Sequence, residues 1–161
     1  MYEYRVSVFC TMGEQFCSTE ISMGEDVNLD AGEYLVFDFI DQKFLGCVSD
    51  RLKLELQPNE SRILCIRQKL SRPQILSTSR HISQGAVEIS EVQWDEMQGT
   101  LYVSCKVLEY EPYILTVYIP QGYTFLQGNC STWTVEKEVL TVSVLPEKTG
   151  VMEIKLLFRG K

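Results

Sequence analysis

The sequence is poor in the patterns that carry chemistry. It has one histidine, His81, and six cysteines, none of them in a C-x-x-C pair, so a zinc-type cluster has no ligand set. It contains no G-x-S-x-G elbow, no glycine-rich phosphate loop and no EF-hand pattern. No apolar run reaches the roughly 18 residues of a transmembrane helix, and residues 1–6 do not form a basic segment followed by an apolar one, as a signal peptide would. Cationic excess is missing too. Lys and Arg number 15 against 22 Asp and Glu, for a net charge of -7. Nucleic acid and anionic membrane surfaces are held by clustered Lys and Arg, so both are excluded as partners. Helical periodicity is almost absent.

What is present is strand pattern. The chain has 161 residues, 45% hydrophobic and 23% charged, enough for one large domain or two small ones. It starts inside a strand pattern, Tyr2, Tyr4, Val6 and Val8 alternating with Glu3, Arg5 and Ser7, and the expectation is that Met1 stands in place of a longer upstream region. A turn at 11–15 and a returning strand at 16–21 would follow, with Cys10 and Cys17 facing each other across the hairpin, where they could form a disulfide. The stretch 34–46 reads as a strand apolar on both faces, a short polar turn and a second strand. Leu52, Leu54 and Leu56 alternate with Lys53 and Glu55, Pro58 ends that ladder, and 61–67 forms another strand. A basic, polar stretch ending in Pro73 marks a boundary, and 74–85 reads as an irregular bridge. Strand patterns then recur at 86–94, 100–107, 113–119, 123–127, 132–135, 139–144 and 150–158. The fold expected is all-β: two tandem antiparallel β-sandwich domains, 1–70 and 71–161, the second immunoglobulin-like.

The run Tyr34-Leu-Val-Phe-Asp-Phe-Ile-Asp-Gln-Lys-Phe-Leu-Gly46, then Leu52-Lys-Leu-Glu-Leu56, Pro58 and Ser61-Arg-Ile-Leu-Cys-Ile-Arg67, resembles the C-terminal antiparallel β-domain of melibiase-like glycoside hydrolases of the α-galactosidase type. Ile40 stands where that family commonly has an aromatic residue. The segment 72–85 resembles the linker of bacterial enzymes of this kind that carry an extra β-domain. The resemblance covers residues 1–85, with 86–161 matching only the looser expectation of an appended sandwich. It implies a parent with a catalytic (β/α) barrel acting on α-linked sugars through two aspartates. No βαβ pattern occurs in this chain, so neither barrel nor catalytic pair is in it. The implied role is a non-catalytic accessory region that packs on the barrel of the same parent chain and stabilises it. The parent's compartment, periplasm or exterior ahead of cytoplasm, stays open.

The residues themselves offer few catalytic candidates. A glycosidase holds two carboxyls a few Å apart across the sugar. Asp38 and Asp41 are the nearest such pair, but positions three apart on a continuing strand face opposite ways, so they would diverge. His81 has only Ser77, Ser79 and Ser83 beside it in a polar segment and reads as a linker residue. Asn59 and Asn129 begin glycosylation sequons, which are frequent by chance. No catalytic residue, metal ligand or cofactor is assigned. The aromatics of the second unit are the stronger signal, because an exposed Trp or Tyr face can stack on a pyranose ring. Trp94 follows Val92 at strand spacing and reads as core. Trp133, Tyr110 and Tyr113 flank turns and are the candidate carbohydrate-binding residues. They support the alternative reading, a carbohydrate-binding module in residues 86–161 with an oligosaccharide or polysaccharide partner.

Overall fold

The computed structural model describes residues 4–160. Among them it contains 14 β-strands and no helix. Residues 2 and 3, expected to open the first strand, lie outside the described residues. The chain divides into two compact units, Met1–Lys69 and Leu70–Lys161.

Unit 1 holds β1 (Tyr4–Cys10), β2 (Cys17–Ser22), β3 (Tyr34–Asp38), β4 (Lys43–Val48), β5 (Arg51–Leu56) and β6 (Ser61–Gln68). Four strands form a sheet in the order β1-β6-β3-β4, and β2 pairs with β5 in a second, two-stranded sheet. All pairings are antiparallel. The alternation in β5 is strict: Leu52, Leu54 and Leu56 are buried and the residues between them exposed. With Ile21 they face Tyr34, Val36, Leu64 and Ile66 of the larger sheet, and these residues make the core. Each such leucine contributes about 2 kcal/mol by burial, an upper bound because the unfolded chain is not fully extended. β3 is buried along its whole length, as its apolar faces demand.

The expected hairpin between the first two strands does not form. β1 pairs with β6 over its full length, from Tyr4↔Arg67 to Cys10↔Ser61, while β2 pairs with β5, from Cys17↔Leu56 to Ser22↔Arg51. Leu54 and Leu56 can be buried against the other sheet only if β5 gains a partner on its own layer, and β2 supplies it. Cys10 and Cys17 therefore belong to different sheets, and both are free thiols rather than a disulfide.

The turn after β3 has a defined construction. Asp38 ends the strand, and its Oδ1 accepts from the Ile40 N–H at 2.9 Å and the Asp41 N–H at 3.2 Å. This is a side-chain mimic of a turn hydrogen bond. The β3/β4 register slips between Val36 and Phe37, leaving Leu45 as the extra residue of a bulge beside Gly46. Gly46 has φ 115, which side chains disfavour, so the Phe44-Leu45-Gly46 sequence suits the bulge.

Unit 2 holds β7 (Gln74–Thr78), β8 (Ile89–Asp95), β9 (Thr100–Val107), β10 (Tyr113–Tyr118), β11 (Tyr123–Gly128), β12 (Thr132–Glu136), β13 (Val139–Val144) and β14 (Gly150–Gly160). Its two sheets run β12-β13-β10-β7 and β11-β14-β9-β8. Facing rows fill the sandwich: Leu101, Val103 and Cys105 on β9, Leu115 and Val117 on β10, Leu140 and Val142 on β13, Ile154 and Leu156 on β14. The stretch read as an irregular bridge is partly ladder. β7 pairs with β10, and its polar side chains are bonded internally: Ser77 Oγ donates to Gln84 Oε1 at 2.9 Å, and the Thr78 hydroxyl to the buried Glu88 carboxylate.

The strand order departs from the immunoglobulin one. Lettering β8 to β14 as a to g, the sheets read a-b-g-d and c-f-e, with β7 added beside c. The immunoglobulin order is a-b-e-d and c-f-g, so e and g have changed places. The cause is the tight hairpin at Lys137-Glu138, with Lys137 at φ 55 and Glu136 opposite Val139. It keeps β12 on β13 and leaves the gap between β9 and β11 to β14.

Gly99 is fixed by close approach. It has φ 63, and a Cβ there would lie 2.4 Å from the Phe158 carbonyl oxygen. The Phe158 N–H donates to the Gly99 carbonyl at 2.8 Å, tying the β8–β9 turn to β14.

Candidate functional site: an aromatic flank in unit 2

The two acidic candidates in unit 1 are brought together, but by a cation. The strand stops at Asp38 rather than running on, and the turn carries Asp41 round to the same side. Arg62 Nη1 donates to Asp38 Oδ2 at 3.0 Å and also to Asp41 Oδ2, while Nη2 donates to Glu60 Oε1 at 2.6 Å. Asp38 is 1% exposed. A carboxylate locked to a guanidinium and two backbone amides is a framework group, without access to a sugar. His81 keeps its neighbours to itself, Nδ1 lying 2.9 Å from Ser83 Oγ.

The three aromatic candidates in unit 2 are not brought together. Tyr113 is 2% exposed, in central strand β10, and offers no face to a ligand. Facing residues on the inner rows place its hydroxyl among Cys105, Thr78 and Glu88, where burial raises it well above the ordinary phenol range, helped by Cys105 and Glu88. Burial likewise pushes the Cys105 thiol up to about 11. Cys105, Tyr113 and Glu88 are all buried, so the cluster presents no reactive group to a ligand and serves as packing. Tyr110 is exposed in the turn between β9 and β10, at φ 59, its N–H donating to Pro146 O at 2.8 Å. Trp133 alone lies on a sheet edge.

Trp133 ends a chain of aromatic rings. Its centroid is 5.2 Å from Phe125, edge to face. Phe125 is 5.5 Å from Phe158, and Phe158 is 6.2 Å from Trp94. Trp94 is half-buried, with Tyr123 at 5.8 Å and the Arg72 guanidinium 6.0 Å above its ring. Pairs in this geometry contribute about 0.5–1.5 kcal/mol beyond area burial. Beside this chain lies a cavity of about 460 Å³, lined by Ile119, Pro120, Gln121, Tyr123, Thr124, Phe125, Val135, Lys137 and Glu138. Of these lining residues only Tyr123 and Phe125 stood out in the sequence, as members of the aromatic group of the second unit. The Tyr-x-Phe alternation of β11 was visible, but its opposition to β12 depends on pairings with β14 and β13 that no local pattern encodes.

Among the described residues no group of three or more His, Cys, Asp and Glu is placed to hold a metal ion. No family model and no curated protein matches the chain.

Proposed function

We propose that the chain is a non-catalytic accessory region of an α-galactosidase-like glycoside hydrolase, and that unit 1 packs on and stabilises the parent's catalytic barrel. The observation that carries this reading is the exposed apolar side of β1, an edge strand of the four-stranded sheet. Leu64, Ile66 and Val36 point into the unit 1 core, so Ile63, Cys65 and Phe37 point to the other side, where Cys65 and Phe37 are themselves buried and the exposed strip is confined to β1. Val8 is registered with Ile63 and Val6 with Cys65, on the same outer side. Val8 is 63% and Val6 37% exposed, and Phe16 and Ile40 are half exposed in the same unit. Exposed apolar strand surface of this kind marks an interaction site. The framework role of Asp38 also agrees with a domain that accompanies a catalyst. The test is Val8→Lys in the parent hydrolase. The expected result is a lower Tm and less soluble enzyme, with kcat of the folded fraction unchanged. A variant parent as stable as wild type would sink the packing role.

A second reading, a carbohydrate-binding module within residues 86–161, is favoured by one feature, the exposed ring of Trp133. Saturable binding of an oligosaccharide to the chain is its test.

A further inference from the structure

β11 is an edge strand of one sheet of unit 2 and β12 of the other, and the ring contact of Phe125 with Trp133 puts them on the same flank. We propose that this flank is a groove for a neutral oligosaccharide of at least two hexopyranose rings, one ring in the cavity and the next stacked on Trp133. It rests on the carbohydrate-binding reading above and gives that reading a site.

Three features carry it. The first is the pairing of platform and cavity. Trp133 and Val135 are registered with Val142 and Leu140, so both point to the inner side of β12. That side is half open at the flank, and Trp133 is 53% exposed while Phe125 beneath it is 8% exposed. The second is spacing. Two positions along a strand are about 7 Å, so a ligand touching Trp133 and the Val135 cavity wall needs linked rings. The third is the polar set. Gln121 and Thr124 each donate and accept, Lys137 donates and Glu138 accepts, and none of these side chains is bonded to another described residue. Sugar hydroxyls need both donors and acceptors, while the CH faces of the ring need the apolar floor of Ile119, Pro120 and Phe125. Lys137 and Glu138 cancel in charge, which gives an ionic ligand no advantage. The volume of about 460 Å³ lies within the range of small-ligand sites.

The experiment is calorimetric titration of the full chain with lactose, melibiose, maltose and cellobiose, and with galactose and glucose alone. At least one disaccharide is expected to bind about tenfold or more tightly than its own monosaccharide. Trp133→Ala and Val135→Arg are each expected to weaken that binding about threefold to tenfold, a stacked ring being worth up to about one factor of ten. Tyr110→Ala should change nothing. Thermal unfolding confirms that each variant is folded, which the exposure of these side chains allows. Sugar binding untouched by Trp133→Ala and Val135→Arg would overturn the groove and leave the carbohydrate reading standing. Absence of heat with every sugar would overturn both. A sedimenting dimer dissociated by Trp133→Ala would assign the flank to a second copy of the chain and overturn the sugar groove.

Discussion

Asp38 and Arg62 are locked together at 3.0 Å, a carboxylate 1% exposed against a guanidinium 18% exposed. Asp41 and Glu60 share the same guanidinium, so one cation holds three carboxylates around the turn after β3. Removing one partner of such a pair leaves the other charge buried and uncompensated. Arg62→Leu is therefore expected to destabilise unit 1 by about 3–5 kcal/mol. Urea unfolding followed by circular dichroism measures it. A loss below about 1 kcal/mol would show that water replaces the guanidinium.

Gly99 sits under the Phe158 carbonyl. Gly99→Ala places a methyl 2.4 Å from that oxygen at φ 63, so both the backbone strain and the clash must be relieved by moving β14 or the turn. The expected loss is more than about 2 kcal/mol in unit 2. The same substitution at Gly122, with φ 100 but nothing within 4 Å of its Cβ, meets only the conformational strain and should do less harm. Comparing the two unfolding curves separates clash from strain.

The parts that could be read from the chain are those where burial follows local alternation. β5 shows it plainly, with Leu52, Leu54 and Leu56 in and Lys53 and Glu55 out. The composition shift at 68–73 lies at the division after Lys69. The pairing of β2 with β5 was hidden, because residues 23–50, two strands among them, separate the pair and either neighbour satisfies their pattern. β7 was hidden because Gln74, Ser77 and Thr78 look like loop residues, although they are buried. Aromatic exposure was the least legible property. Tyr113 and Trp133 both flank turns, yet one lies in a central strand and the other at an edge, which only the sheet order decides.

The buried thiol and phenol of unit 2 make its stability fall at high pH. Cys105 titrates near 11 in the folded state against an ordinary 9.0, because burial disfavours the thiolate. Below 9.0 both folded and unfolded chains hold the proton, and the group is neutral in its effect. Between 9.0 and about 11 the unfolded chain releases it and the folded chain does not, so stability declines as pH rises. Tyr113, raised in the same direction, extends the decline. The loss from Cys105 is about 2–3 kcal/mol at its limit. Unfolding of reduced protein at pH 8 and pH 10.5 should show the slope, and Cys105→Ala should flatten it by about one proton. A slope unchanged in that variant would place the titration elsewhere.

The outer face of β1 can be tested in the chain by itself. Val8 is 63% exposed, so Val8→Lys removes little buried area and should change stability by no more than about 0.5 kcal/mol. Its effect should fall instead on association. A charge in the middle of an apolar edge strand opposes strand-to-strand pairing and lowers the affinity of apolar dyes. The variant is expected to bind less of the dye ANS than the wild type and to self-associate no more than it does. Leu64→Lys, at a core position 0% exposed, should instead unfold unit 1, which checks that the assay distinguishes surface from core. Unchanged dye binding in Val8→Lys would mean that the exposed valines do not act as a patch, and the packing role proposed for this face would lose its support.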